Sequence, residues 1–133
     1  MGWFWILYLI AYFTVAWLLL APSQADARAK HKHYEKWYQR QWCEQQGGKT
    51  EYVLPDRTRC DCLTATHAIE FDFGPKWAEA IGQSLYYSLQ TGKRAGIVLI
   101  LEQPGDMRYW IRLNSVIMED QLDIDTWRIG PGL

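Results

Sequence analysis

From His67 to Phe73 the chain alternates with a period of two: Ile69, Phe71 and Phe73 fall on one side, Glu70 and Asp72 on the other. That is the pattern of a strand with one greasy face. Thr58 to Thr64 repeats it more weakly around Cys60, Asp61 and Cys62, and Lys49 to Leu54 supplies an earlier strand turned back at Pro55-Asp56-Arg57. Ala95 to Leu101 is apolar throughout, as expected of a central strand covered on both sides. Between the strands the period changes to that of a helix. Asp26 to Gln46 carries Tyr34, Trp37, Tyr38, Gln41 and Trp42 at helical spacings and stops at Gly47-Gly48.

A second helix opens at Gly74-Pro75 and ends at Gly92. Its face of Trp77, Ile81, Leu85 and Leu89, with the small Ala80, Ser84 and Ser88, is expected to lie on a sheet, leaving Lys76, Glu79, Gln83 and Tyr87 as a polar stripe. Pro104-Gly105-Asp106 starts a last helix through Ile117, and Ile124 to Ile129 returns as an edge strand. Helix, three strands, helix, strand, helix, strand is the order of an α/β sandwich.

The chemistry sits on the acidic faces. Glu70 and Asp72 are about 7 Å apart along one strand. Asp61 lies one tight turn upstream, so hairpin pairing brings a third carboxylate toward them. Carboxylates gathered on one surface are costly to bury without a cation, and the outline is that of a hard-cation site for Mg²⁺ or Mn²⁺. The plain alternative is a solvated sheet face.

Trp3 to Ala21 is an uninterrupted apolar run about as long as a bilayer crossing, which assigns residues 1–25 to a signal peptide or membrane anchor and residues 26–133 to a single domain. Small residues at Ser23-Gln24-Ala25 and Ala25-Asp26-Ala27 favour cleavage and a periplasmic or exported product. The lack of Lys or Arg before the run and their excess behind it favour an anchor in the inner membrane through residues 3–21. With 14 Lys+Arg against 15 Asp+Glu the net charge is −1, which excludes avid nucleic-acid binding by bulk electrostatics. Any phosphate contact is local, and the basic stretch Arg28 to Arg40 is its first candidate. Of the three cysteines, Cys60 and Cys62 point the same way on one strand, too poorly spaced to bridge each other. Cys43 on the first helix reaches either of them in an oxidising compartment, Cys43–Cys62 being the pairing to test. A zinc site lacks its paired ligand spacing.

Taken in order, these residues resemble the PD-(D/E)xK nuclease superfamily, whose restriction-endonuclease-like core runs helix, antiparallel meander, helix, strand. The resemblance covers roughly Glu35 to Leu101. Asp61 matches the family's first acid, Glu70-Phe71-Asp72 stands at the (D/E)-x-K position, and Gln83 to Tyr87 is similar to a Q-x-x-x-Y helix motif. Glu44 matches an extra acid that several branches carry on the first helix. Asp72 stands where the motif's lysine belongs, and Lys76, four residues on, is the candidate replacement. The resemblance implies an α-β-β-β-α-β core with an added C-terminal helix and strand, and metal-assisted hydrolysis of nucleic acid, DNA before RNA. It implies Asp61, Glu70 and Asp72 as metal ligands, with Lys76 and Gln83 completing the catalytic set and Glu44 and Tyr87 assisting. From another class, a catalytically degenerate binding or immunity module with a protein partner also fits the missing lysine. A membrane-anchored assembly component is a third reading.

Overall fold

The structure is a computed structural model that describes residues 31–131. The apolar run at 3–21, and with it the expected leader or anchor, lies outside the described residues. Five strands, β1 (Lys49–Val53), β2 (Arg59–Leu63), β3 (His67–Phe73), β4 (Arg94–Ile100) and β5 (Ile124–Ile129), form one mixed sheet in sequence order. β2 is antiparallel to both neighbours, while β3, β4 and β5 run parallel. Three helices cover it: α1 (Glu35–Gln45), α2 (Trp77–Thr91) and α3 (Met107–Glu119).

Each face of the sheet has its own apolar layer. Ile69 and Phe71 of β3 and Val98 of β4 pack with Cys43 and Trp42 of α1. Ala95, Ile97, Leu99 and Leu101 pack on the opposite face with Ala80 of α2 and Leu113 and Ile117 of α3. β4 therefore buries both its faces, as its unbroken apolar run requires. Each fully buried Leu, Ile or Phe contributes about 1.5–3 kcal/mol.

Three expectations need correction. The first helix begins at Glu35, not before, because residues 31–34 are held out of helical conformation by Glu102 at the end of β4. Its carboxylate accepts from the His31 ring, the Lys32 and His33 backbone N–H groups and the Tyr38 hydroxyl. α2 lies on the sheet through Ala80, Ser84 and Tyr87, so Leu85 and Leu89 are exposed, Leu89 by 78%. The small side chains decide this: they let the helix approach closely and swing its leucines outward. Cys60 and Cys62 do not share a face. Cys62 joins the α1 layer, whereas Cys60 packs with Leu54, Ala68 and Tyr87 toward α2. The pleat slips between them, where Glu51 takes a positive φ of 52° and pairing lapses at Glu51 and Asp61.

Cys43 and Cys62 form a disulfide that ties α1 to β2, and Cys60 is a buried free thiol. Gly48 makes room for the bridge, since a Cβ there would lie 2.7 Å from both sulfurs. The bridge is consistent with an oxidising compartment. Among the described residues no helix is long and apolar enough to cross a membrane.

Non-reducing peptide mapping is expected to find Cys43 linked to Cys62 and Cys60 alkylatable only after unfolding. Replacing both bridged cysteines by serine should lower stability by about 3 kcal/mol on loop-entropy grounds, read by denaturant titration. Three equivalent free thiols in protein from an oxidising compartment would contradict the bridge.

Candidate active site

Alternation along β3 sends Glu70 and Asp72 toward α2, opposite Ile69 and Phe71, and both acids are almost wholly buried at 5% and 3% exposure. Asp61 comes to them by a different route. The β2–β3 ladder ends at the Cys62 and Ile69 pair. Beyond it, Asp61 Oδ2 accepts the Phe71 backbone N–H at 2.8 Å. A side-chain carboxylate thus occupies the place of a strand carbonyl and lies against the Glu70 carboxyl group.

α1 closes the site from the other side. Gln39, 2% exposed, lies beside Asp61 and donates from Nε2 to Glu35 Oε1 at 3.4 Å. Glu35 thereby joins the acids, a residue that the sequence motifs did not select. The helical spacing Glu35, Gln39, Cys43 carries the signal: once Cys43 is bridged to β2, the positions four and eight residues before it share its face. Glu44 lies one position off that face, is exposed, and stands about 13 Å along the axis from Glu35.

α2 supplies the remaining groups. In the amide orientation that satisfies both partners, Gln83 donates to the Glu70 carboxylate. Tyr87 is buried beside Glu70, and burial, then the charges of Glu70 and Asp61, push its hydroxyl well above the usual phenol range. Lys76, in the short 3₁₀ turn Gly74–Lys76 before α2, places Nζ 3.9 Å from Asp72 Oδ1 and 4.0 Å from Glu79 Oε2. The structure therefore gathers Asp61, Glu70, Asp72, Lys76, Gln83 and Tyr87, adds Glu35 and Gln39, and leaves Glu44 outside.

The electrostatics follow from burial. All four acids are pushed above the ordinary carboxylate range. For Glu70 the causes are burial first, then the charge of Asp61, its hydrogen bond to Asp61, and Asp72. For Asp61 burial again leads, opposed by the Phe71 N–H, so burial and mutual repulsion hold the pair short of full ionisation. Burial raises Asp72 to about 6 against the pull of Lys76. Burial, then Asp61 and Asp72, raise Glu35 to about 7. One ammonium faces four carboxyl groups, and the cluster holds its protons for want of positive charge.

Among the described residues no three His, Cys, Asp or Glu side chains form a ready-made ion cage. A cavity of about 340 Å³ lies elsewhere, lined by Trp37, Tyr38, Trp42, Gln45 and Ile129, and contains none of the acids. Comparison with family models, with curated proteins and with solved structures finds no match to this chain.

A carboxyl group with a pKa raised on folding binds its proton more tightly in the folded state. Its contribution to stability is complete below the unfolded value and lost as pH rises through the folded one. For Asp72 and Glu35 that loss runs up to about 6 and about 7. In chelator the thermal midpoint is expected to fall between about pH 4 and pH 8, and Glu70→Gln, which removes a buried titrating group, should flatten the slope. A midpoint that rises over this range would contradict the assignment.

Proposed function

We propose that this chain is a metal-dependent phosphodiesterase of the PD-(D/E)xK nuclease superfamily, cutting nucleic acid at the cleft where β2 parts from β3. The observation that carries the proposal is the cluster of buried carboxyl groups Asp61, Glu70 and Asp72 with Glu35 beside them. The order of elements supports it too: a helix, an antiparallel meander, a helix and a parallel strand match the core of that superfamily, with α3 and β5 as additions.

The donor set suits a hard divalent cation in kind, being oxygen ligands only, at a place where added positive charge relieves both burial cost and mutual repulsion. Asp61, Glu70 and Asp72 would hold Mg²⁺ or Mn²⁺. Such an ion supplies a bound water of lowered pKa and stabilises charge on a phosphate. The protein's own groups do the positioning. The Phe71 N–H fixes Asp61, and Gln83 fixes Glu70, beside which Tyr87 is buried. Lys76 takes the part of the missing motif lysine: beside Asp72 its ammonium offers three donors to a water or phosphate oxygen. The substrate is nucleic acid, DNA before RNA, and the disulfide agrees with a protein acting in the periplasm or outside the cell, or held at the inner membrane by residues 3–21.

One observation favours a second reading. Asp72 occupies the motif lysine's position, and Lys76 divides its charge between Asp72 and the exposed Glu79. A degenerate binding or immunity module of the same fold, taking a protein partner, would tolerate this.

Cleavage of labelled DNA and RNA by the full chain decides between them. Activity should require Mg²⁺ or Mn²⁺ and vanish in Asp61→Ala and Glu70→Ala. Lys76→Ala, which removes one positioning contact, should reduce it on the order of 10²-fold. Activity that persists in chelator or survives Glu70→Ala belongs to another site. Absence of cleavage with either metal on either substrate would favour the binding module.

A further inference from the structure

Arg108 and Arg112 stand one turn apart on α3, both exposed. Like charges at this spacing repel, and a cation in a helix's first turn opposes the helix dipole, so α3 is less stable for carrying them. Neither makes an ion pair among the described residues. Both guanidinium groups are held over one ring instead: Arg108 lies 4.6 Å and Arg112 5.7 Å from the Tyr109 centroid, and Arg108 Nη2 donates to Tyr109 Oη at 2.8 Å. The nearby Asp106 forms no ion pair with either of them; its Oδ2 accepts from the backbone N–H groups of Glu102 and Gln103.

Tyr109 joins this pair to the acidic site. Its ring packs on Gly74 so closely that a Cβ there would lie 2.8 Å from Tyr109 Cδ2. Gly74 opens the turn that carries Lys76 and directly follows Asp72 and Phe73 at the end of β3. Two guanidinium groups without ion-pair partners, held against a shared aromatic ring, therefore lie beside the end of β3 from which Lys76 reaches Asp72. In a chain of net charge −1 this is local positive charge without an ion-pair partner among the described residues.

Resting on the nuclease reading, we infer that Arg108 and Arg112, propped by Tyr109, bind the phosphodiester backbone of the nucleic acid and lead it across Gly74 to the carboxylate cluster. Guanidinium groups suit this task because their planar fork meets two phosphate oxygens at once. Stacking on the ring holds that fork in place before the strand arrives. The surface complements the site: acids that need a cation hold the chemistry, and arginines beside them hold the polyanion that those acids alone would repel.

The test is binding of the full chain to fluorescent single-stranded DNA, its RNA counterpart and duplex DNA, measured by anisotropy in chelator so that no cleavage intervenes. Arg108→Gln/Arg112→Gln should weaken binding at least ~10-fold at low salt and reduce the slope of log K against log salt by about 1.4 on single strands, the loss of two phosphate contacts. Lys93→Gln, which removes one charge where β4 begins, should change affinity less than about twofold, and the thermal midpoint of the arginine variant should be unchanged or higher. Unchanged affinity and salt slope in the double variant, or no binding of any oligonucleotide by the wild type, overturns the inference. Loss of binding to anionic phosphatidylglycerol vesicles, with oligonucleotide affinity intact, overturns it in favour of a lipid surface. The outcome is separable from the nuclease reading: cleavage that needs Glu70 yet ignores the arginines rejects only the surface. Arginine-dependent binding without metal-dependent cleavage rejects only the chemistry.

Discussion

The carboxylate of Asp61 takes the Phe71 N–H that a regular β2 would have bonded with its own backbone. Much of the site depends on this exchange. It ends the ladder after Cys62 and Ile69, parts β2 from β3, and sets an acid in the plane of the sheet, where Glu70 can reach it. It accompanies the slip of the pleat that sends Cys60 toward α2 and leaves Cys62 facing α1. A buried backbone N–H without an acceptor costs on the order of 1–3 kcal/mol, so the strands cannot open here unless a side chain stands in. Asp61 is thus structural and chemical at once, and replacing it removes both the acceptor and the acid.

The Cys43–Cys62 bridge fixes the second wall of the cleft. It pins the late part of α1 to β2, and the helical repeat then brings Gln39 and Glu35 over Asp61. Gln39 has little freedom there, buried as it is between two carboxyl groups. From the opposite side the small Ala80 and Ser84 let α2 lie close to β3, which sets Gln83 and Tyr87 against Glu70. The acids are consequently desolvated from both faces. Their raised proton affinities are the common consequence of two helices packed tightly on a sheet that opens between them.

Much of this was legible in the sequence wherever periodicity was strict. The alternation of His67 to Phe73 and the unbroken apolar run of Ala95 to Leu101 place β3 and β4 correctly, whereas Asp61 reaches the other two acids where strand pairing has ended and not through the hairpin pairing its spacing suggested. What was hidden depended on contacts distant in sequence. No local pattern announces that Glu102 holds residues 31–34 out of the helix, or that pairing lapses at Glu51 and Asp61. The leucines of α2 form as good a helical stripe as the small residues beside them, and only close approach to the sheet selects the latter. Glu44 enters only through the family resemblance, and Glu35 is not legible because the rotation of α1 is fixed by a disulfide whose partner on β2 the sequence leaves open.

The central claim is that Glu70 and Asp61 share a proton in the absence of a cation and surrender it when positive charge arrives. Carbon-detected NMR of the side-chain carboxyl groups measures this directly. In chelator, Glu70 is expected to remain protonated at neutral pH, where an ordinary glutamate is ionised, and to ionise at the same pH when Mg²⁺ is added. A Glu70 carboxyl that titrates near 4.5 in chelator and does not respond to the ion would contradict the account.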